Sequence, residues 1–149
     1  MEKLCTCMSI FPGTAVATSF ARENVIFTGV QFSKDNTAGC TAEACAFRDS
    51  YEVFQEAGAE VIGISSDTEK SHQQFATQHR LPFILLSDLG GVVRKHYGVP
   101  ATFGLLPGRV TYIIDKQGIV RHIFSSQFAP QKHVDEAFKV LQALREDRV

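Results

Sequence analysis

The chain has four cysteines, and the spacing of one pair allows redox chemistry. Cys40 and Cys45 are five residues apart, whereas Cys5 and Cys7 form a C-x-C pair near the amino end. A cysteine thiolate can attack an electrophile, and a second thiol can then close a disulfide onto the oxidised sulfur. The C-x4-C spacing is not the C-x2-C of zinc sites and disulfide oxidoreductases, so spacing alone leaves buried structural cysteines as an alternative.

The segment around Cys40 predicts a site that lowers the pKa of its thiol. Apolar side chains recur at steps of three and four over residues 41–57, which predicts a helix with one buried face. Cys40 would lie in its first turn, after a strand predicted at residues 25–32. Unpaired backbone N–H groups and the positive end of the helix dipole favour a thiolate there. The sequence therefore places Cys40 where an attacking cysteine should be.

Cys45 is too far from Cys40 for a disulfide while the predicted helix is intact. Residues i and i+5 of an α-helix are about 8–9 Å apart between Cα atoms. A disulfide needs that separation to be below about 7 Å. If the two sulfurs bond, the first turns of the helix must therefore unwind.

The rest of the sequence predicts an α/β fold. Strand-like and helix-like segments alternate after residue 57, with strands at 60–65, 83–86, 110–114 and 119–124 and helices at 69–79, 91–97 and 131–144. Residues 115–118, Asp-Lys-Gln-Gly, predict a hairpin turn between the last two strands. This order favours a central mixed β-sheet flanked by helices. Residues 1–22 show no clear period and are interpreted as a poorly ordered segment before a domain at 23–149.

Composition excludes several classes of function. The 149 residues are 44% hydrophobic and 21% charged, which is typical of one globular domain. A net charge of −1 gives no electrostatic reason to expect nucleic acid or an anionic membrane as partner. The amino end fits neither a secretory signal nor a transit peptide well, so we expect a cytoplasmic protein, with an organelle such as the chloroplast as the alternative.

We expect no metal site and no organic cofactor. Cys5 and Cys7 supply only two metal ligands, and no histidine lies near them in sequence, so both are interpreted as incidental.

Short motifs between residues 35 and 109 are more specific than the cysteine spacing. D-N-T-A-G-C-T at residues 35–41 and E-A-C-A-F-R-D at 43–49 are followed by G-A-E-V-I-G-I-S at 58–65, L-P-F at 81–83, G-V-P at 98–100 and L-P-G-R at 106–109. In order and spacing, these motifs resemble the peroxiredoxin Q, or bacterioferritin comigratory protein, branch of the peroxiredoxins. The resemblance covers about three quarters of the chain, from residue 32 to the carboxyl end.

The resemblance implies a thioredoxin-like fold and a thiol peroxidase that acts on hydrogen peroxide and alkyl hydroperoxides. Cys40 matches the peroxidatic cysteine and Cys45 the resolving cysteine. Thr37 is similar to the threonine that orients the peroxide, and Arg109 to the arginine that stabilises the thiolate and the breaking O–O bond. A guanidinium suits the negative charge that develops on the departing oxygen. Thioredoxin or a similar thiol is the implied reductant, and we expect a monomer.

The residues taken by themselves leave other interpretations open. Arg109 would be read as a surface charge, Thr37 as a turn or helix-cap residue, and Arg48 is a second candidate for a charge near the site. Ser33 and Ala38 stand where the family commonly has proline, and residues 1 to about 30 do not match its opening. A redox sensor of the same fold and a protein disulfide oxidoreductase remain alternatives. The second of these usually carries C-x-x-C, which this chain lacks.

Overall fold

The computed structural model describes residues 24–29, 38–99, 101–102, 106–107, 109–117 and 119–147. Within these ranges the strands are β1 (Asn24–Gly29), β2 (Ala59–Ser65), β3 (Ile84–Ser87), β4 (Ala101–Thr102), β5 (Leu106–Pro107), β6 (Val110–Ile114) and β7 (Val120–Ser125). The helices are α1 (Ala38–Asp49), α2 (Tyr51–Glu56), α3 (Glu69–His79), α4 (Val92–Tyr97) and α5 (Pro130–Glu146). Residues 1–22 and 30–32 lie outside the described residues, so the proposed division at residue 22 stays a prediction.

A mixed sheet organises the molecule, with the strand order β3-β2-β1-β6-β7. β1, β2 and β3 run parallel to one another, β6 runs antiparallel to β1, and β7 runs antiparallel to β6. The parallel strands are connected through helices, as a parallel pairing requires. β4 and β5 form a separate two-stranded pair. The predicted mixed sheet flanked by helices is confirmed.

Alternation along β2 and β6 separates two hydrophobic clusters, one on each face of the sheet. Val61 and Ile113 face the larger cluster, which α1, α2, α3 and α5 complete with Ala44, Phe47, Phe54, Phe75, Val134, Ala137 and Leu141. Ile62, Tyr112 and Ile114 face the smaller cluster, which includes Val93 and Tyr97 from α4. On α5, Val134, Ala137 and Leu141 recur at steps of three and four and form its buried face.

The prediction of one helix over residues 41–57 is wrong in its middle. α1 begins three residues earlier, at Ala38, and ends at Asp49, and α2 begins at Tyr51. Ser50, between them, has ψ of 3°, far from the helical value of about −42°. Periodicity could not show this bend because the buried stripe runs across it: Phe47 and Phe54 are both fully buried, with ring centroids 5.8 Å apart.

Short-range contacts define the ends of several elements. Thr68 caps α3, since its hydroxyl accepts the N–H of Ser71 at 3.2 Å. Gly58 and Gly98 follow helices with φ of 74° and 64°, the left-handed conformation that glycine adopts without strain. Asp115 shapes the predicted hairpin, because one carboxylate oxygen accepts the N–H groups of Gln117 and Ile119.

In the described part of the chain, no helix combines the length and the apolar character needed to cross a membrane.

Candidate active site

Cys40 lies in the first turn of α1, as the sequence predicts. It is the third residue of the helix, among the N–H groups that have no partner within the helix itself. Cys40 is 1% exposed, so its thiol is enclosed by protein and not open to bulk solvent. The helix end and the low exposure together place the sulfur where backbone dipoles act on it with little screening.

Cys45 lies on the same helix and is half-buried. Both cysteines are free thiols, and α1 is continuous between them. Five residues correspond to a rotation of about 140° beyond one full turn, so the two side chains leave the helix in different directions. This agrees with the prediction that no disulfide can form while the helix is intact.

Arg109 reaches the start of α1 from the residue immediately before β6. The arginine is only 4% exposed, which overturns its reading as a surface charge. A Cβ added to Gly39 would lie 2.5 Å from Nη2 of Arg109, so the guanidinium packs directly against the backbone that precedes Cys40. A positive group is thus enclosed beside the candidate nucleophile.

Glu43 forms an ion pair with this guanidinium. Its Oε2 lies 3.0 Å from Nε of Arg109, and both side chains are almost fully buried. A buried ion pair is costly to desolvate, and removing one partner leaves an uncompensated charge. The ion pair with Glu43 and the burial of both side chains therefore limit the movement of the guanidinium.

His133, at the start of α5, extends the polar cluster away from Cys40. Its Nδ1 lies 2.8 Å from the Thr111 hydroxyl, and its Nε2 lies 2.8 Å from the Ser126 carbonyl oxygen. Nδ1 is also 3.8 Å from Oε1 of Glu43. Burial lowers the pKa of His133 below its ordinary value of 6.5, the bond to Ser126 opposes this, and the charge of Arg109 adds to it.

Arg48, the second candidate for a charge near the site, lies at the other end of α1 from Cys40. It lies in the last turn of α1 and donates from Nη1 to the His79 carbonyl oxygen at 2.8 Å. The hydrogen bond to Asp49 raises the pKa of Arg48, burial opposes the rise, and the neighbouring Cys45 adds to it. Arg48 therefore belongs with Cys45 and ties this end of α1 to α3.

The structure thus places Arg109 against Gly39, the residue before Cys40, with Cys45 on the same helix. Thr37, Ser33, Cys5 and Cys7 lie outside the described residues, so their predicted roles stay predictions.

Glu43 and His133 were missed by the sequence analysis. A signal for Glu43 was present: it stands three residues after Cys40 and four before Phe47, a spacing that puts all three on one helix face. His133 stands four residues before Ala137, on the buried side of α5. In each case the helical periodicity places a polar residue on an apolar helix face, but it does not reveal which buried group that residue contacts.

Comparison with known proteins gives the family of the chain. Residues 17–123 match the family model described as the AhpC/TSA family. A curated relative from Sedum lineare, named peroxiredoxin Q, chloroplastic, is 56% identical over 115 residues, 76% of this chain and 62% of the relative. One of the same name from Populus jackii is 59% identical over 76% of this chain and 54% of its own length. The chain therefore spans a little over half of these relatives.

Solved structures confirm the thioredoxin-like fold expected from the resemblance. Peroxidoxin BcpB from Mycobacterium tuberculosis superposes with a TM-score of 0.72 at 36% identity, covering 80% of this chain and 79% of that one. A bacterioferritin comigratory protein from Xanthomonas campestris gives 0.74 at 25% identity, covering 85% and 83%.

Proposed function

We propose that this chain, which belongs to the AhpC/TSA family as one of its peroxiredoxin Q members, is a thiol-dependent peroxidase. The observation that carries the proposal is the enclosure of Cys40 in the first turn of α1 with the Arg109 guanidinium against the preceding residue. The Xanthomonas campestris relative is described through its alkyl peroxide reduction activity. We take hydrogen peroxide and alkyl hydroperoxides as the substrates of this chain.

The first chemical step is attack of the Cys40 thiolate on one peroxide oxygen. The O–O bond breaks, Cys40 becomes a sulfenic acid, and the other oxygen leaves as an alcohol or water after taking up a proton. Negative charge builds on that departing oxygen. Arg109 stabilises this charge, and because it is already oriented by protein, little reorganisation is needed during the reaction. We assign to Thr37 the role of orienting the peroxide.

The second step joins Cys45 to the oxidised sulfur. The Cys45 thiol attacks the sulfenic acid, a disulfide forms and water is released. Because the intact helix holds the two cysteines apart, the amino-terminal turns of α1 must open before this bond can form. A thioredoxin-like dithiol then reduces the disulfide, becomes oxidised itself and returns both cysteines to thiols. Monomeric action is consistent with this cycle, since both cysteines come from one chain.

Glu43 acts through Arg109 in this scheme. Its carboxylate offsets the buried positive charge and fixes one face of the guanidinium. The remaining donors of Arg109 can then address the sulfur and the peroxide.

The chloroplast is the compartment that we propose. The curated relatives from Sedum lineare, Populus jackii and Arabidopsis thaliana are named as chloroplastic proteins. These names support the organellar alternative, and they give no support to the cytoplasmic expectation.

The deciding experiment is a single turnover with one equivalent of hydrogen peroxide. The reduced protein is mixed with peroxide, quenched, alkylated and mapped by peptide mass. We expect a Cys40–Cys45 disulfide as the major product. With dithiothreitol or thioredoxin present, the protein should then consume peroxide over many turnovers.

Two matched variants separate the steps. Cys40→Ser should abolish peroxide consumption, whereas Cys45→Ser should still be oxidised once and yield a sulfenic acid that a dimedone-type reagent traps. A Cys40 that resists one equivalent of peroxide in the folded protein would refute the peroxidase. Oxidation of Cys40 without turnover in the presence of thiols would instead favour the redox sensor.

A further inference from the structure

His133 is fully buried, yet the proposed peroxidase cycle leaves it without a task. Both ring nitrogens are engaged, Nε2 with the Ser126 carbonyl and Nδ1 with the Thr111 hydroxyl, each at 2.8 Å. A carbonyl oxygen can only accept, so Nε2 must carry a proton. The neutral ring then accepts the Thr111 O–H at Nδ1. The surroundings thereby select one tautomer and one orientation of the ring.

Each neighbour of the ring also fixes Arg109. Thr111 lies on β6, two residues after Arg109, so the hydroxyl bond anchors the strand that follows the arginine. Ser126 donates its N–H to the Arg109 carbonyl at 3.2 Å, and the same residue's carbonyl accepts from His133. Glu43, 3.8 Å from Nδ1, forms the ion pair with the guanidinium.

We propose that His133 is a positioning residue for Arg109. Its neutral imidazole connects three groups that hold the arginine: Thr111 on β6, Ser126 on the Arg109 carbonyl, and the Glu43 carboxylate. The inference rests on the proposed peroxidase in assigning Arg109 its role toward Cys40. His133 itself does not contact the peroxide in this scheme. It acts by keeping the guanidinium against Gly39.

The charge state of the ring is part of this role. Glu43 from α1 and Arg109 before β6 are the charged groups that the structure shows facing His133, and Phe124 from β7 covers the ring edge-to-face at 4.8 Å between centroids. A protonated ring would compete with Arg109 for the Glu43 carboxylate and would repel the guanidinium. The neutral ring leaves the Glu43–Arg109 pair undivided.

The test compares His133→Gln with His122→Gln. Glutamine keeps an N–H for the Ser126 carbonyl but cannot reproduce both ring nitrogens. His122 lies 3.3 Å from Glu136, with both side chains about a third exposed, and serves as a matched control. Two quantities are measured in each folded protein: the pH midpoint of Cys40 alkylation by iodoacetamide, and the rate of Cys40 oxidation by hydrogen peroxide. Circular dichroism and a denaturant titration check that the variants fold.

We expect His133→Gln to raise the alkylation midpoint of Cys40 and to slow its oxidation by about ten- to a hundred-fold, the range that a small misplacement of a catalytic group produces. His122→Gln should leave both quantities unchanged. An unchanged midpoint and rate in folded His133→Gln would overturn the proposal. So would equal effects in the two histidine variants.

Thr111→Val provides a second route if His133→Gln does not fold. It removes only the hydroxyl that donates to Nδ1. Both the alkylation midpoint and the oxidation rate should shift in the same direction as in His133→Gln, by a smaller amount, and no shift would overturn the proposal.

The two readouts also separate the positioning role of His133 from the proposed peroxidase function. If wild-type Cys40 does not react with peroxide but the alkylation midpoint still moves in His133→Gln, the peroxidase fails and the positioning role stands.

Discussion

At its amino end, α1 is tied to the core by buried charges, whereas its carboxyl end is held at the surface by Arg48. Gly39 and Glu43 sit against Arg109, with Cys40 between them and almost no exposure. Around Cys45 the helix is half-buried, and Arg48 is a third exposed. One helix therefore presents its two cysteines to very different surroundings.

This difference suits the two tasks that we propose. Attack on peroxide needs a charge held in a fixed place in a poorly solvated site, which the amino end provides. Resolution needs a thiol that can move, which a half-buried position near the bend at Ser50 permits. The polar cluster at the amino end must therefore be strong enough to hold Cys40 and still yield when α1 opens.

The largest expected effect comes from breaking the buried ion pair. Arg109→Met and Glu43→Leu should each lower the free energy of unfolding by about 3–5 kcal/mol, because each leaves one buried charge without its counter-ion. The double variant should lose less than the sum of the two. Denaturant titration of the four proteins gives the coupling energy, and strictly additive losses would contradict a direct pairing.

A subtler change at the same end is Gly39→Ala. The new methyl group would fall within 2.5 Å of Nη2 of Arg109, so the guanidinium must move away. The arginine is buried and ion-paired, and we expect the rate of Cys40 oxidation to fall by about ten-fold or more. Stopped-flow kinetics measures this, with Ala38→Ser as a control because Ala38 is exposed. Equal rates in both variants would mean that the guanidinium position does not matter.

The pH dependence of stability offers a third test of the buried end. Burial lowers the pKa of folded His133, so the unfolded chain binds this proton first as the pH drops below 6.5. The contribution to stability is therefore complete above pH 6.5 and is lost as the pH falls toward the folded pKa. Wild type should lose stability between pH 7 and 5 more steeply than His133→Gln. Parallel curves from denaturant titrations would refute this.

The smallest effect is expected at the carboxyl end. Arg48→Met removes the hydrogen bond to the His79 carbonyl and the charge near Cys45, both distant along the helix from Cys40. Oxidation of Cys40 by peroxide should change by less than about two-fold, because a partly exposed charge at the other end of the helix is screened by solvent and salt. If the oxidation rate fell as much as in Gly39→Ala, the two ends of α1 would not act independently on Cys40.

Local patterns were informative wherever short-range physics dominates. Thr68, Gly58 and Gly98 lie at helix ends, where capping depends on a few neighbouring residues. Periodicity found α3 and α5 to within a residue or two. It failed at Ser50, where the core accepts a bend without interrupting the apolar stripe.

Chain order alone was enough to mark Cys40 as a cysteine at a helix start and to predict that Cys45 cannot reach it in an intact helix, because both follow from helix geometry. Helix geometry could not identify the buried side chains that surround the start of α1. Arg109, Glu43 and His133 come from three separate stretches of the chain and meet only when α1 and α5 pack on β6. A buried charge is recognisable as such only once its counter-ion and its loss of solvent are known, and both are products of long-range packing.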